Sequence, residues 1–465
     1  AVSVGEWGAA DKSVSRENIF NEISSKIQKI DIEKDSRLKL IKGVLVKVGY
    51  IKDAKRSDGL SLIMKASDAG DPAAQVVLSN IFYSGDGVLK NEELARDYAL
   101  KSSKKDCTRA LKLLSRFLSL TAEESDSFIQ RAADLGDVES QSILIKDAYL
   151  NKEYQKVLLL TDSLLQTSAK NYEASYYLLN SILLYKAKAK YEIKDYPEAL
   201  DCYQKILSNT SSMEDYYLAD YIYIYQSIGS CLKEEGKLDK ALTYYDKALN
   251  YLKKIDLNNL KPFKMGENRS MPTILNTISN DLMTYADRNE ESLVVIDVSL
   301  SLVQKMNPLP PSIAASCYYL KSKINFNLGN RDEAFLYSKK IIDIIDISKA
   351  NLAILADPIT VDTYYRNHAF LCTVFKDYEL AIEYRKIAIQ HCEKYDLQFQ
   401  KIVNKTALLD LESIYQNQHI DIELYISSVQ QLESGAFKNI NINKADQLIS
   451  RLSSRIAQYF MLVND

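Results

Sequence analysis

Between Tyr225 and Leu249 the apolar positions recur with the period of a helix, and the pattern breaks once. Tyr225, Ile228, Gly229 and Leu232 stand at i, i+3, i+4 and i+7, which predicts one face of a first helix. Ala241, Tyr245 and Ala248 stand three or four apart and predict the facing stripe of a second. Gly236 lies between them, and glycine accepts the left-handed backbone of a helix C-cap without strain. Small residues at Gly229, Ala241 and Ala248 let the two helices approach closely. A hairpin of this kind cannot bury its apolar stripe alone, so it predicts neighbours of the same kind.

Those neighbours occur along much of the chain. KAKAKYEIKDYPEALDCYQKIL carries Ala187, Ala199 and Tyr203, with Pro197 opening its second helix. YYLKSKINFNLGNRDEAFLYSKKI has Gly329 at the turn and Ala334 beyond it, and YYRNHAFLCTVFKDYELAIEYRKIAI has Ala369, Ala381 and Ala388. NDLMTYADRNEESLVVIDVSL is the weakest unit, with Asn280 and Ser292 where small apolar residues are expected. On these residues the region resembles the tetratricopeptide repeat. The anchors Ala199, Ala241, Ser292, Ala334 and Ala381 are 42, 51, 42 and 47 residues apart, longer than the ~34-residue period of that repeat. Longer helices or inserted loops must absorb the difference. Residues 253–272, with Pro262 and Pro272, and 305–312, with Pro308, Pro310 and Pro311, are the expected loops.

Upstream the signature differs. Asp71 followed by Pro72 is an N-cap and first-turn pair, Ser84-Gly85-Asp86-Gly87 is a turn, and Leu94, Ala95 and Tyr98 mark a second helix. With Ala69-Gly70-Asp71, Ala74-Gln75, Tyr83 and Gly87-Val88, this stretch resembles the Sel-one-like repeat. Degraded copies follow at Asp106 with Ala110, and at Gly136-Asp137 with Gln141. The resemblances imply an all-α fold, a right-handed superhelical α-solenoid of antiparallel helix hairpins. The expected division is a flexible tip carrying Trp7 and a helical cap over 1–50, Sel-one-like repeats over 51–150, tetratricopeptide-like repeats over 151–400, and capping helices over 401–465.

Composition agrees with a folded helical chain. The 465 residues are 46% hydrophobic and 26% charged, with only 14 Gly and 8 Pro, and such sparse punctuation favours long helices. Net charge is −3, which gives no global footprint for nucleic acid or an anionic membrane. Lys253, Lys254, Lys261, Lys264 and Arg269 form the nearest local patch, read as a solvated loop. No apolar run approaches the ~18 residues of a membrane span, and the first residues lack the pattern of a signal peptide. Six dispersed cysteines without CxxC spacing suit a reducing compartment and point to the cytoplasm; a cleaved export signal would leave no trace. Tyrosine is the oddity, at 32 against 12 Phe and one Trp. Much of it is expected to pack between helices.

Candidate chemistry is scarce. His368 and Cys372 stand at i, i+4 on one helix, with His391-Cys392 in the paired helix, and a zinc site is conceivable from them. Their positions face the partner helix, however, and are read as core. No phosphate-cradling glycine motif occurs. The acidic pairs Glu92-Glu93, Glu123-Glu124 and Glu290-Glu291 fall at helix starts, where the helix dipole favours them. The reading is therefore a chain with no catalytic residue, metal or cofactor, and not an enzyme. The resemblance implies instead a concave groove lined by the first helix of each hairpin. Its groove-side positions are Tyr223, Gln226 and Ser230, then Tyr319 and Lys323, then Arg366. The pattern departs from the carboxylate-clamp subgroup, since Ser181, Leu184 and Lys188 in one unit, and Ile274, Thr277 and Asp281 in another, hold the clamp positions. The expectation is a non-catalytic scaffold or adaptor that takes a peptide or helix of a protein partner. The alternative is a peptide-responsive regulator.

Overall fold

A computed structural model describes residues 16–51, 53–117, 121–168, 176–210, 218–256, 270–348, 355–416, 422–434 and 442–464. Trp7, and Lys261, Lys264 and Arg269 of the basic patch, lie outside the described residues. The described secondary structure is entirely helical, and the chain divides into two compact units that part after Glu214.

The first unit holds α1 (Arg16–Ile27), α2 (Ser36–Val48), α3 (Arg56–Asp68), α4 (Pro72–Ser84), α5 (Glu92–Ser103), α6 (Thr108–Leu114), α7 (Ala122–Asp134), α8 (Val138–Leu150), α9 (Tyr154–Ser168), α10 (Tyr176–Glu192) and α11 (Tyr196–Thr210). Asp71 caps α4 by accepting from the backbone N–H groups of Ala73 and Ala74, and Pro72 occupies the first turn. The repeat register runs through three left-handed residues, Gly70, Asp106 and Gly136. Asp71 and Asp137 follow the first and last of these and cap α4 and α8. In the middle copy Asp106 itself takes the left-handed place and Cys107 the cap position, so α6 starts without a side-chain cap. Asp106 pairs instead with Arg131 at 2.6 Å.

The second unit holds α12 (Leu218–Glu234), α13 (Leu238–Leu252), α14 (Met271–Ala286), α15 (Asn289–Gln304), α16 (Pro311–Asn327), α17 (Arg331–Ile347), α18 (Pro358–Val374), α19 (Tyr378–Lys394), α20 (Gln398–Gln416), α21 (Ile422–Glu433) and α22 (Ile442–Asn464). Successive helices pair as hairpins, and the first helices also touch one another, α12 against α14, α14 against α16 and α18 against α20. At the middle of several hairpins a small residue of the first helix packs against the second. In α12 it is Gly229, and a Cβ there would overlap the Tyr245 ring. In α16 it is Ser322, whose hydroxyl donates to the Ala334 carbonyl at 2.7 Å, as Ser79 does to Ala95 in the first unit.

The weak unit packs in the same way with a shift of register. Ser279, not Asn280, faces Ser292, and each hydroxyl reaches the other helix of the hairpin, Ser292 Oγ to the Ser279 carbonyl at 2.7 Å and Ser279 Oγ to the Ser292 carbonyl at 3.0 Å. The extra residue lies at the end of α14, where the Arg288 N–H reaches back six residues to the Leu282 carbonyl, while Lys237 and Asn330 at the same place in the regular hairpins reach back five. Asn280 is thereby turned toward the open face of α14.

The histidines and cysteines of α18 and α19 are core side chains. His368 Nδ1 shares a 2.9 Å hydrogen bond with Ser338 Oγ, and its ring lies between Phe335 and Tyr384. His391 Nε2 meets the Pro358 carbonyl at 2.9 Å. That contact ties the end of the second helix to the start of the first, as Ser299 does to Pro272 and Ser102 to Pro72. Cys372 is fully buried, and Cys392 donates to Asp362 at 3.4 Å.

Two stability tests follow from this packing. Gly229→Ala forces the Tyr245 ring to move and is expected to cost about 1–3 kcal/mol, as overpacking does, read as a lower urea midpoint. Burial, reinforced by Lys339, pushes the His368 pKa from 6.5 down to about 4. The unfolded chain therefore takes up a proton near pH 6.5 that the folded chain refuses until about pH 4, and stability drops as pH falls through that window. Between pH 7.5 and pH 5 this site should remove about 2 kcal/mol, and His368→Gln should show a correspondingly smaller loss in paired denaturation curves.

Candidate functional site

The first helices of four successive hairpins in the second unit border a recess of about 620 Å³. Lys233 comes from α12; Thr273, Asn276, Thr277, Asn280 and Asp281 from α14; Ser312, Ser316 and Tyr319 from α16; Thr360, Thr363 and Tyr364 from α18. Each reaches the recess because it sits on the helix face opposite the hairpin stripe, where the repeat leaves side-chain type free. The lining is rich in amides and hydroxyls. The Tyr319 and Tyr364 rings lie 5.4 Å apart on the wall, and among the described residues neither hydroxyl has a hydrogen-bond partner. Burial raises the pKa of both phenols, so both remain protonated donors.

One ion pair anchors the recess. Asp281 is 1% exposed, and its carboxylate accepts from Lys233 Nζ at 3.1 and 3.2 Å and from the Tyr245 hydroxyl at 2.7 Å. Tyr245 is the ring seated against Gly229. Asn280 Nδ2 is a third donor at 3.4 Å, so the buried carboxylate is satisfied, and the pair leaves the recess without net charge.

A second recess of about 700 Å³ adjoins the first at Thr363. It lies between α18, α20 and α22 and is lined by Ile359, Arg366, Phe399, Gln400, Val403, Lys444, Gln447, Leu448 and Arg451. Arg366 Nε pairs at 2.8 Å with Asp362, which also accepts from Asn404 at 2.7 Å.

The residues expected from sequence divide into two groups. Tyr223, Gln226 and Ser230 are 1%, 2% and 7% exposed, and Gln226 donates to Ser230 at 2.7 Å. They are closed off by packing, and the α12 residue that lines the recess is Lys233, one turn further along the same stripe. Tyr319, Lys323 and Arg366 do come together. Lys323 Nζ sits 5.6 Å from the centre of the Tyr319 ring, with no carboxylate partner among the described residues, and burial lowers its pKa. Arg366 is close enough to oppose the upward shift of Tyr319. Tyr319 lines the first recess and Arg366 the second. Sequence reasoning missed Lys233, Asn280, Tyr364, Lys444 and Arg451. Heptad spacing from Gln226 to Lys233 was the available signal for the first. Among the described residues no three His, Cys, Asp or Glu side chains converge on a metal-sized site, and no helix is long and apolar enough to cross a membrane.

The ion pair yields a test. Lys233→Met strands the Asp281 charge and should cost about 3 kcal/mol. Adding Asp281→Asn should restore most of that, since Asn still accepts from Tyr245. A double variant no more stable than the single in urea denaturation would contradict the pairing.

No family model matches the chain, and no curated protein does. Solved structures similar to it are helical-repeat proteins at low identity. The apo form of RapI is 12% identical with a TM-score of 0.49, covering 70% of this chain and 88% of its own. A protective antigen of uropathogenic Escherichia coli with an SLR fold is 13% identical with a TM-score of 0.39, covering 94% and 90%. A Sel1 repeat protein from Oxalobacter formigenes is 17% identical with a TM-score of 0.35, covering 50% and 94%. In fold, the chain is similar to tetratricopeptide and Sel-one-like repeat proteins.

Proposed function

We propose that this chain is a non-catalytic interaction scaffold whose second unit binds a peptide segment of a partner protein along its row of first helices. The observation that supports this most is the neutral recess between α12, α14, α16 and α18, with its amides, hydroxyls and two tyrosines lacking partners among the described residues. An extended peptide presents a backbone donor and acceptor at each residue. Asn280 and Ser316 can answer either, Thr360, whose hydroxyl donates to Asp357, can accept, and the Tyr319 and Tyr364 faces offer apolar contact to its side chains. The volume falls within the ~300–1,000 Å³ of ordinary ligand sites. Asp281 accepts from Lys233 and Tyr245, an engagement that suits a structural role better than acid–base work.

The test is selection of phage-displayed peptides of roughly twelve residues on the full chain, followed by affinity measurement on variants. Tyr319→Phe and Ser312→Ala each remove a hydroxyl that lines the recess and has no hydrogen-bond partner among the described residues. Each should weaken the selected peptides about 5- to 10-fold, the worth of one hydrogen bond, with thermal unfolding unchanged. Peptides that bind both variants as tightly as the parent, or no enrichment, would refute the reading.

A further inference from the structure

We infer that the second recess, between α18, α20 and α22, holds an acidic stretch of the bound peptide, one carrying Asp or Glu beside an apolar residue. The inference rests on the peptide-binding reading and adds the chemistry of the segment. Of the side chains that line this recess, Arg366, Lys444 and Arg451 are cationic and none is acidic. Immediately behind them are Arg385 and Arg455, and the carboxylates that answer this set are Asp362 and Asp410. Asp362 takes Arg366 at 2.8 Å; Asp410 takes Arg451 at 2.8 Å and Arg455 at 3.6 Å. Leaving Arg455 aside, Arg366, Arg385, Lys444 and Arg451 thus stand with Asp362 and Asp410 among the described residues, four cations to two carboxylates.

Arg385 marks the surplus. It donates through Nη1 to Asn404 at 2.9 Å, and its buried Nε has no partner among the described residues. Burial, with Arg366 and Arg451 nearby, lowers its pKa to about 10 against the opposing pull of Asp362 and Asp410, and no carboxylate stands within ion-pair distance of it among the described residues. Lys444 is exposed, with no ion pair among the described residues. An incoming carboxylate gains from all of these at once, and in a partly desolvated site the attraction is worth more than on open surface.

The rest of the lining selects a peptide over a phosphate or a nucleic acid. Ile359, Phe399, Val403 and Leu448 make an apolar floor that suits an aliphatic or aromatic side chain. Gln400 and Gln447 can pair with peptide backbone, and Thr363 is shared with the first recess. A segment lying in the first recess therefore continues into the second without leaving the face.

The experiment is fluorescence anisotropy on the full chain with two labelled peptides of equal length. One carries Leu and Phe among Glu residues, and the other has Gln for every Glu. The Glu peptide should bind about 10-fold or more tightly in low salt, with the gap closing as salt screens the charges. Lys444→Glu, at an exposed position, should weaken the Glu peptide 5- to 10-fold and leave the Gln peptide unchanged; Arg451→Gln should act in the same direction. Equal binding of the two peptides, an inert Lys444→Glu, or a single-stranded oligonucleotide that binds more tightly than the Glu peptide would each overturn the inference. If phage-selected peptides still depend on Tyr319 in those cases, the groove reading stands and only the acidic preference falls; if they do not, both fall.

Discussion

The second unit depends on how deeply one tyrosine sits. Because residue 229 has no side chain, the Tyr245 ring can press against the backbone of α12. At that depth its hydroxyl reaches past its own hairpin to Asp281 on α14. Asp281 then has a second donor in Lys233, which returns the link to α12. Three helices are joined through one buried carboxylate, and a buried charge of this kind fixes geometry more than it adds stability. The same pair borders the first recess, so the packing of the hairpin and the electrostatics of the groove are one arrangement.

The abundance of tyrosine has a physical account in that arrangement. A phenylalanine would fill the same volume but would end without a donor. Tyr245 donates to Asp281 at 2.7 Å, Tyr425 to Asp410 at 2.7 Å and Tyr415 to Glu379 at 2.6 Å. In each case the ring packs on one helix and its hydroxyl holds a carboxylate on another. The positions on the lining that lack such a carboxylate, Tyr319 and Tyr364, are the ones whose hydroxyls remain available to a ligand.

The hairpins were legible because they depend on local residues. Gly229 opposite Ala241, the Asp71 cap and the glycine at 236 act over a few turns of chain, and their spacing announces them. Legibility failed where a turn changed length. Asn280 holds the expected place by counting from Ser292, yet the last turn of α14 carries one residue more and hands that place to Ser279. It failed again where partners are distant, since nothing near Lys233 announces Asp281, 48 residues on. The groove residues were half legible for a related reason. Periodicity tells which stripe a residue occupies but not where neighbouring helices close over it, so Tyr223, Gln226 and Ser230 are sealed while Lys233 on the same stripe lines the recess.

The comparison of Asp281 with Asp410 bears on the charge of the second recess. Both carboxylates accept from a tyrosine hydroxyl, Tyr245 in one case and Tyr425 in the other. Asp281 is completed by a single cation, Lys233, and is well buried with it. Holding a carboxylate beside a tyrosine thus requires one positive charge. Asp410 has two, Arg451 and Arg455, while Arg385 and Lys444 add two more that make no direct ion pair among the described residues. Packing does not account for that excess, because the same device works in the first recess without it. A cluster of like charges repels itself and lowers the stability of the fold that gathers it. What offsets such a cost is an anion that arrives from outside, and the apolar floor beneath the cations favours one carried on a peptide.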